Sequence, residues 1–166
     1  MGAWDVMSAH FVDRKGPPPG LSSFTKIRLG WISSEHVIRV LPGETRKVML
    51  SPLAEKGNIL AVKIPFGGDH YYLVENRQPI RYDKVLPDSG ILIIKVDPHA
   101  VEGTGTARIM DADPSSPNFQ HATYRPDRKS RKTFIDKKHG VAVVVLGSDG
   151  ENQSILITTP EKAQAY

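Results

Sequence analysis

Imidazoles are the side chains best placed to run acid–base or metal chemistry near neutral pH, and the chain carries six: His10, His36, His70, His99, His121 and His139. A helical zinc site sets two of them at i and i+4 around a glutamate base, so that both rings reach one ion from one face. No two of the six are that close in sequence. With no cysteine, thiolate zinc sites and disulfides are excluded. Neither a catalytic residue nor a resident metal is therefore assigned within the chain. Asp111-Ala112-Asp113, with Asp97 or Asp136, offers oxygen ligands but lacks the glycine and distal glutamate of an EF-hand loop. Asp-rich loops more often bond their own backbone, so Asp111 and Asp113 stand only as calcium candidates. Serines are plentiful, yet none lies in a Gly-x-Ser-x-Gly elbow, and no phosphate-cradling glycine motif is present.

Two charged features remain. Between Arg125 and Lys138 lie seven basic residues, including Arg128, Lys129, Arg131 and Lys132. They could grip a polyanion, with Tyr124 or Phe134 stacking on bases. An ordinary solvated loop is the preferred reading, and nucleic acid is not the expected partner. The second feature is Glu75 with Arg77, which fall on the same face of an alternating strand as Tyr71 and Leu73. A carboxylate among apolar neighbours needs a partner, because an unpaired buried charge costs several kcal/mol. Glu75 and Arg77 are read as a structural pair.

The elements that must position these groups are mostly strands. Thirteen prolines and fourteen glycines in 166 residues signal many turns and disfavour a helical bundle. Tyr71 to Arg77 alternates strictly, and Ile91 to Val96 is a nearly unbroken apolar run, which suits a central strand buried on both faces. His36–Leu41 and Thr45–Leu50 are expected to form a hairpin across Pro42-Gly43. Asn58–Ile64 pairs with Tyr71–Arg77, and Val141–Leu146 with Ser154–Thr159, while a weaker strand is placed at Thr106–Met110. Residues 111 to 138 read as a polar excursion. One helix precedes all of this: Ser22 or Ser23 caps it, Phe24, Ile27 and Trp31 share a face, and Gly30 ends it. The expected fold is mainly β, a two-sheet antiparallel sandwich with one short N-terminal helix. No apolar run approaches the ~18 residues of a membrane span, and no membrane partner is expected. The N-terminus lacks a basic region followed by an apolar one, so no signal peptide is read there. A formal charge of +4 permits acidic partners without requiring them.

The opening residues carry a resemblance. Met1-Gly2-Ala3-Trp4-Asp5-Val6-Met7-Ser8, then Pro18 to Gly20, then Leu21 to Ile32 with its Ser-x-x-x-Lys-x-x-x-Gly-Trp helix, resemble the immune inhibitor A-type zinc metallopeptidases. Tyr71 to Gln78 looks like that family's Tyr-Tyr-x-x-Glu-x-Arg strand. Asp83, Leu86, Pro87, Gly90 and Ile91 to Asp97 look like its Asp-x-x-Leu-Pro-x-x-Gly-x-Leu-Ile segment. Asp111 to Pro114, Ala122 and Phe134 to Asp136 agree loosely with its C-terminal portion.

By this match Met7 stands at the methionine turn, Trp4 and Ser8 flank the cleft floor, and Asp83 joins Glu75 and Arg77 as structural. The zinc-binding H-E-x-x-H helix would lie upstream of Met1. The resemblance implies zinc, a peptide substrate and an extracellular location for the intact parent, with this chain inactive alone. It divides the chain into residues 1–34, the tail of a catalytic domain, residues 35–160, the sandwich, and a frayed tail at 161–166. The implied partner is the missing catalytic half. Failing that, the apolar residues Trp4, Met7, Phe11, Phe24, Ile27 and Trp31 are expected to drive self-association through residues 1–31. The rival reading is a stand-alone module for acidic polymers, working through residues 125–138.

Overall fold

The computed structural model describes residues 1–8, 16–101, 103–127 and 131–166. His10, Phe11, Arg128 and Lys129 lie outside the described residues. Among the described residues nine strands form two sheets. The first has the order β1 (Val37–Arg39), β3 (Ala61–Gly67), β4 (His70–Arg77), β5 (Gly90–Val96) and β6 (Ala107–Ile109). The second has the order β2 (Arg46–Leu50), β9 (Asn152–Thr158), β8 (Val141–Asp149) and β7 (Thr133–Asp136). The fold is mainly β and sandwich-like, with a short helix, α1 (Ser23–Arg28), near the N-terminus.

Alternation along each strand builds the layers. Val62, Ile64, Tyr72, Val74, Ile91 and Ile93 of the first sheet meet Val48, Leu50, Val143, Val145, Ile155 and Ile157 of the second in one buried core. The opposite face of β4 and β5 carries Leu73, Leu92, Ile94 and Val96, packed around the fully buried indole of Trp4. Because β5 is covered on both sides, its apolar run is continuous. Gly90 opens β5 at φ 139°, where a Cβ would sit 2.8 Å from the Tyr124 carbonyl oxygen, so only glycine fits.

Four local expectations are corrected. His36–Leu41 and Thr45–Leu50 are not a hairpin: β1 pairs parallel with β3, while β2 crosses to the second sheet and pairs antiparallel with β9. The Pro42-Gly43 turn exists, with the Glu44 amide donating to the Leu41 carbonyl and Gly43 at φ 86°. It makes a corner between sheets, because Val40 and Val48 both gain burial in the shared core. The polar excursion contains β7, whose inward residue Phe134 is buried. Trp31 does not share the buried face of α1; the chain turns at Gly30 (φ 71°) and leaves the ring 68% exposed. The tail is not frayed: Pro160–Ala163 forms α2, and Ala163 packs on Ala142, Val144 and Leu156. Among the described residues no helix is long and apolar enough to cross a membrane.

Candidate functional site

The residues singled out at the N-terminus meet those of β4 in one buried polar cluster. Ser22 caps α1, its oxygen facing the Thr25 amide at 3.4 Å. The same hydroxyl donates to Asp5 Oδ2 at 2.5 Å, and that oxygen also accepts the Ser22 amide (2.9 Å) and the Thr25 hydroxyl (2.7 Å). One carboxylate thus ties the first residues to the start of the helix. The next amide, of Ser23, donates to Glu75 Oε2 at 2.7 Å, so the helix start is held to β4 as well.

Glu75, Arg77 and Asp83 are brought together. All five N–H bonds of Arg77 are used: Nε and Nη2 reach the two oxygens of Asp83 at 2.8 Å, Nη1 reaches Glu75 Oε1 (2.9 Å) and the Trp4 carbonyl (3.0 Å), and Nη2 also reaches the Gly20 carbonyl (3.2 Å). The guanidinium and the Glu75 carboxylate are fully buried, and Asp83 is nearly so. Burial works against the charge on Arg77, but Glu75 and Asp83 outweigh it and hold the group more firmly protonated than usual. Asp83 arrives on a 3₁₀ turn, Arg81–Val85, entered through a left-handed Arg81 (φ 50°). Nearby, burial lowers the Lys26 pKa despite the opposing pull of Glu75, and its ammonium donates to the Leu53 carbonyl.

The family-implied cleft floor divides in two. Trp4 points inward and donates its indole N–H to the Phe119 carbonyl at 2.9 Å. Met7 points outward, 75% exposed, on a 3₁₀ turn (Val6–Ser8) whose Met7 amide is held by Asp5 Oδ1 at 2.8 Å. Ser8 is the last residue of that turn. Trp4, one of the apolar residues expected to drive self-association, is buried against this chain's own first sheet.

The calcium candidates behave as turn formers. Asp111 Oδ1 accepts the Asp113 amide, and Asp113 accepts from the Ser115 hydroxyl. That hydroxyl is the largest influence on Asp113 and holds its carboxyl below the ordinary range. Zinc, which the resemblance implies, has no fit here: among the described residues no three His, Asp or Glu side chains converge on a metal-sized space. His70 and His99 are neighbours, but they face Asp97 at 3.2 Å and Asp69 at 3.1 Å in separate exposed pairs.

Among the described residues of the basic segment, Arg131 and Lys132 are held by partners within the chain. Arg131 is 3% exposed; its Nη1 donates to the His121 carbonyl (2.8 Å) and pairs with Asp88 (3.3 Å). Asp88 also accepts from Thr123 and Arg125. Lys132 donates to the Tyr166 carbonyl at 2.7 Å. The reading of Arg131 as solvated is corrected: the side chain is buried and paired with Asp88, 43 residues away.

Sequence reasoning missed Asp5, the junction of the first cluster, since an aspartate in a loop carries no signal of its own. It also missed a second constellation on the other face of β4. Tyr72 donates its hydroxyl to Asp136 Oδ2 at 2.6 Å, and His139 Nδ1 meets the same oxygen at 2.5 Å. The His139 amide holds Asp136 Oδ1. Burial works against the Asp136 charge, but the hydrogen bonds from Tyr72 and His139 outweigh it and keep the carboxyl below its ordinary range. Burial and then the Asp136 carboxylate push the Tyr72 phenol well up, so it stays a donor. An open cleft of about 610 Å³ adjoins this group.

A scan against protein-family models finds no match for this chain. A search of curated proteins finds none either.

Proposed function

We propose that the chain is the non-catalytic, β-rich part of a secreted zinc metallopeptidase of the immune inhibitor A type, and that its sandwich carries the methionine-turn segment for a catalytic half. The observation that supports this reading is the way Met7 is held. An exposed, flexible thioether on a free terminus would be mobile. Here its amide is fixed by Asp5, and Asp5 is fixed by Ser22 and Thr25 at the start of α1. Glu75 and Arg77 then tie the helix start and the Trp4 carbonyl to β4. A residue that must form the floor of another unit's cleft needs such a mount. Met7 is the large apolar group that this mount leaves bare on the Val6–Ser8 turn. In this scheme the chain's own groups supply position, and the chemistry belongs to the catalytic half.

The rival, a polyanion-binding module working through residues 125–138, loses Arg131 and Lys132 to internal partners. Reading the genomic sequence upstream of Met1 is the direct test. The expected result is an in-frame H-E-x-x-H whose longer product holds one zinc and cleaves casein, while this chain alone does neither. A hydroxamate-sensitive peptidase activity in this chain alone would overturn the proposal, as would an upstream frame without the motif. Salt-dependent retention on heparin, lost in Lys132→Ser, would favour the rival.

A further inference from the structure

The space between the two sheets is apolar along most of its length but ends in a polar mouth. Inward positions on β5 read Ile91, Ile93 and then Lys95. On β7 they read Phe134 and then Asp136. Tyr72 lies directly opposite Lys95 in the β4–β5 register. Three polar side chains thus occupy positions where alternation calls for apolar ones, all at the same end of the sandwich and lining the same cleft. Such local breaks in pattern concentrate where a site is built.

The charges do not balance. Lys95, Lys137 and Lys138 all line the cleft, against the single carboxylate of Asp136. That carboxylate is already occupied by the Tyr72 hydroxyl and by the amide and Nδ1 of His139. None of the three lysines has an ion-pair partner among the described residues. Lys95 instead stands 5.3 Å over the Phe66 ring. Because ionised Asp136 can only accept, His139 must donate from Nδ1, which fixes the ring and leaves Nε2 for a ligand. Phe66 packs against both rings, 4.4 Å from Tyr72 and 4.6 Å from His139, and locks the orientation further. Phe134, edge-on to Tyr72, supplies an apolar wall beside the charges.

We propose that this mouth is a binding site for a small phosphate monoester. A surplus of two positive charges matches a phosphate dianion better than a monoanionic carboxylate, and ammonium groups serve phosphate as point charges. In its imidazolium form His139 donates from Nε2 to a phosphate oxygen, and the apolar body of the ester lies along Phe134. The volume suits a ligand of drug-like size or smaller. This site is independent of the peptidase reading, since it uses none of the residues that mount Met7.

The test is a titration of the whole chain with phenyl phosphate, followed by the amide and imidazole NMR signals of His139, with benzoate and phenol as comparators. Phenyl phosphate is expected to shift those signals and saturate. Benzoate should bind roughly tenfold more weakly, the equivalent of one lost charge contact, and phenol not at all. His139→Gln and Lys95→Met should each weaken phenyl phosphate severalfold. Lys137→Gln with Lys138→Gln, at exposed turn positions where folding is not at stake, should do the same. Lys132→Gln, outside the cleft, should leave it unchanged. No saturable shift overturns the proposal, and so do benzoate binding as tight as phenyl phosphate or a Lys132→Gln loss equal to that of the cleft lysines.

Discussion

Strand β4 serves two polar clusters from its two faces, and the two are built on opposite terms. On the outer face, Arg77 is fully buried and spends every N–H on Glu75, Asp83 and two backbone carbonyls. On the inner face, Tyr72 and His139 satisfy Asp136, while the lysines around them have no ion-pair partner among the described residues and stand beside an open cleft. The chemistry of the groups is similar, carboxylates held by cationic or neutral donors. Saturation and burial separate them. A closed network has nothing left for a ligand and acts on stability; an unsaturated one at an opening is free to bind.

The largest expected effect comes from breaking the closed cluster. Arg77→Met strands two buried carboxylates and should cost about 3–5 kcal/mol in urea unfolding. A loss below about 1 kcal/mol would mean that water reaches Glu75 and Asp83. Gly20→Ala comes next. A Cβ at Gly20 would lie 2.4 Å from Asp83 Oδ1, and the required shift should cost about 1–3 kcal/mol. Arg131→Ser should cost a similar ~1–3 kcal/mol by leaving Asp88 and the His121 carbonyl short of a donor. Lys132→Ser in the same segment should stay within about 0.5 kcal/mol. Equal effects at the two positions would undo the division of the basic segment.

At the open cluster, the expected effect on stability is small and depends on pH. The Asp136 carboxyl is lowered in the folded chain. Its contribution is therefore complete above the unfolded-state value, near ~4, and is lost as pH falls through the lower folded value. Asp136→Asn should flatten that acid limb in a thermal melt series and remove the same small contribution at neutral pH, where it is complete. An unchanged acid limb would show that Tyr72 and His139 do not stabilise the charge.

The sequence announces the strands far better than it announces their partners. Alternation marks β4, the unbroken apolar run marks β5, and turn residues bracket β8 and β9, so the fold class follows from local pattern. Pairing does not. Pro42-Gly43 requires a turn but is silent on whether the next strand stays in its sheet, which only the shared burial of Val40 and Val48 decides. At β7 just four residues pair, too few to show a period. Glu75 with Arg77 is visible because two charges break an apolar face, and Lys95 breaks the inner face of β5 in the same way without attracting notice. Asp5, Asp136 and Arg131 are hidden because each draws its meaning from residues far off in sequence.

Amide hydrogen exchange at Ser22 and Ser23 tests the central claim most directly, namely that the N-terminal segment and β4 are one unit joined through buried carboxylates. Their N–H groups donate to Asp5 and Glu75. Both amides should exchange as slowly as those of β4 and β5, which open only on global unfolding. Exchange at the rate of an unprotected loop, with β4 still protected, would contradict the account.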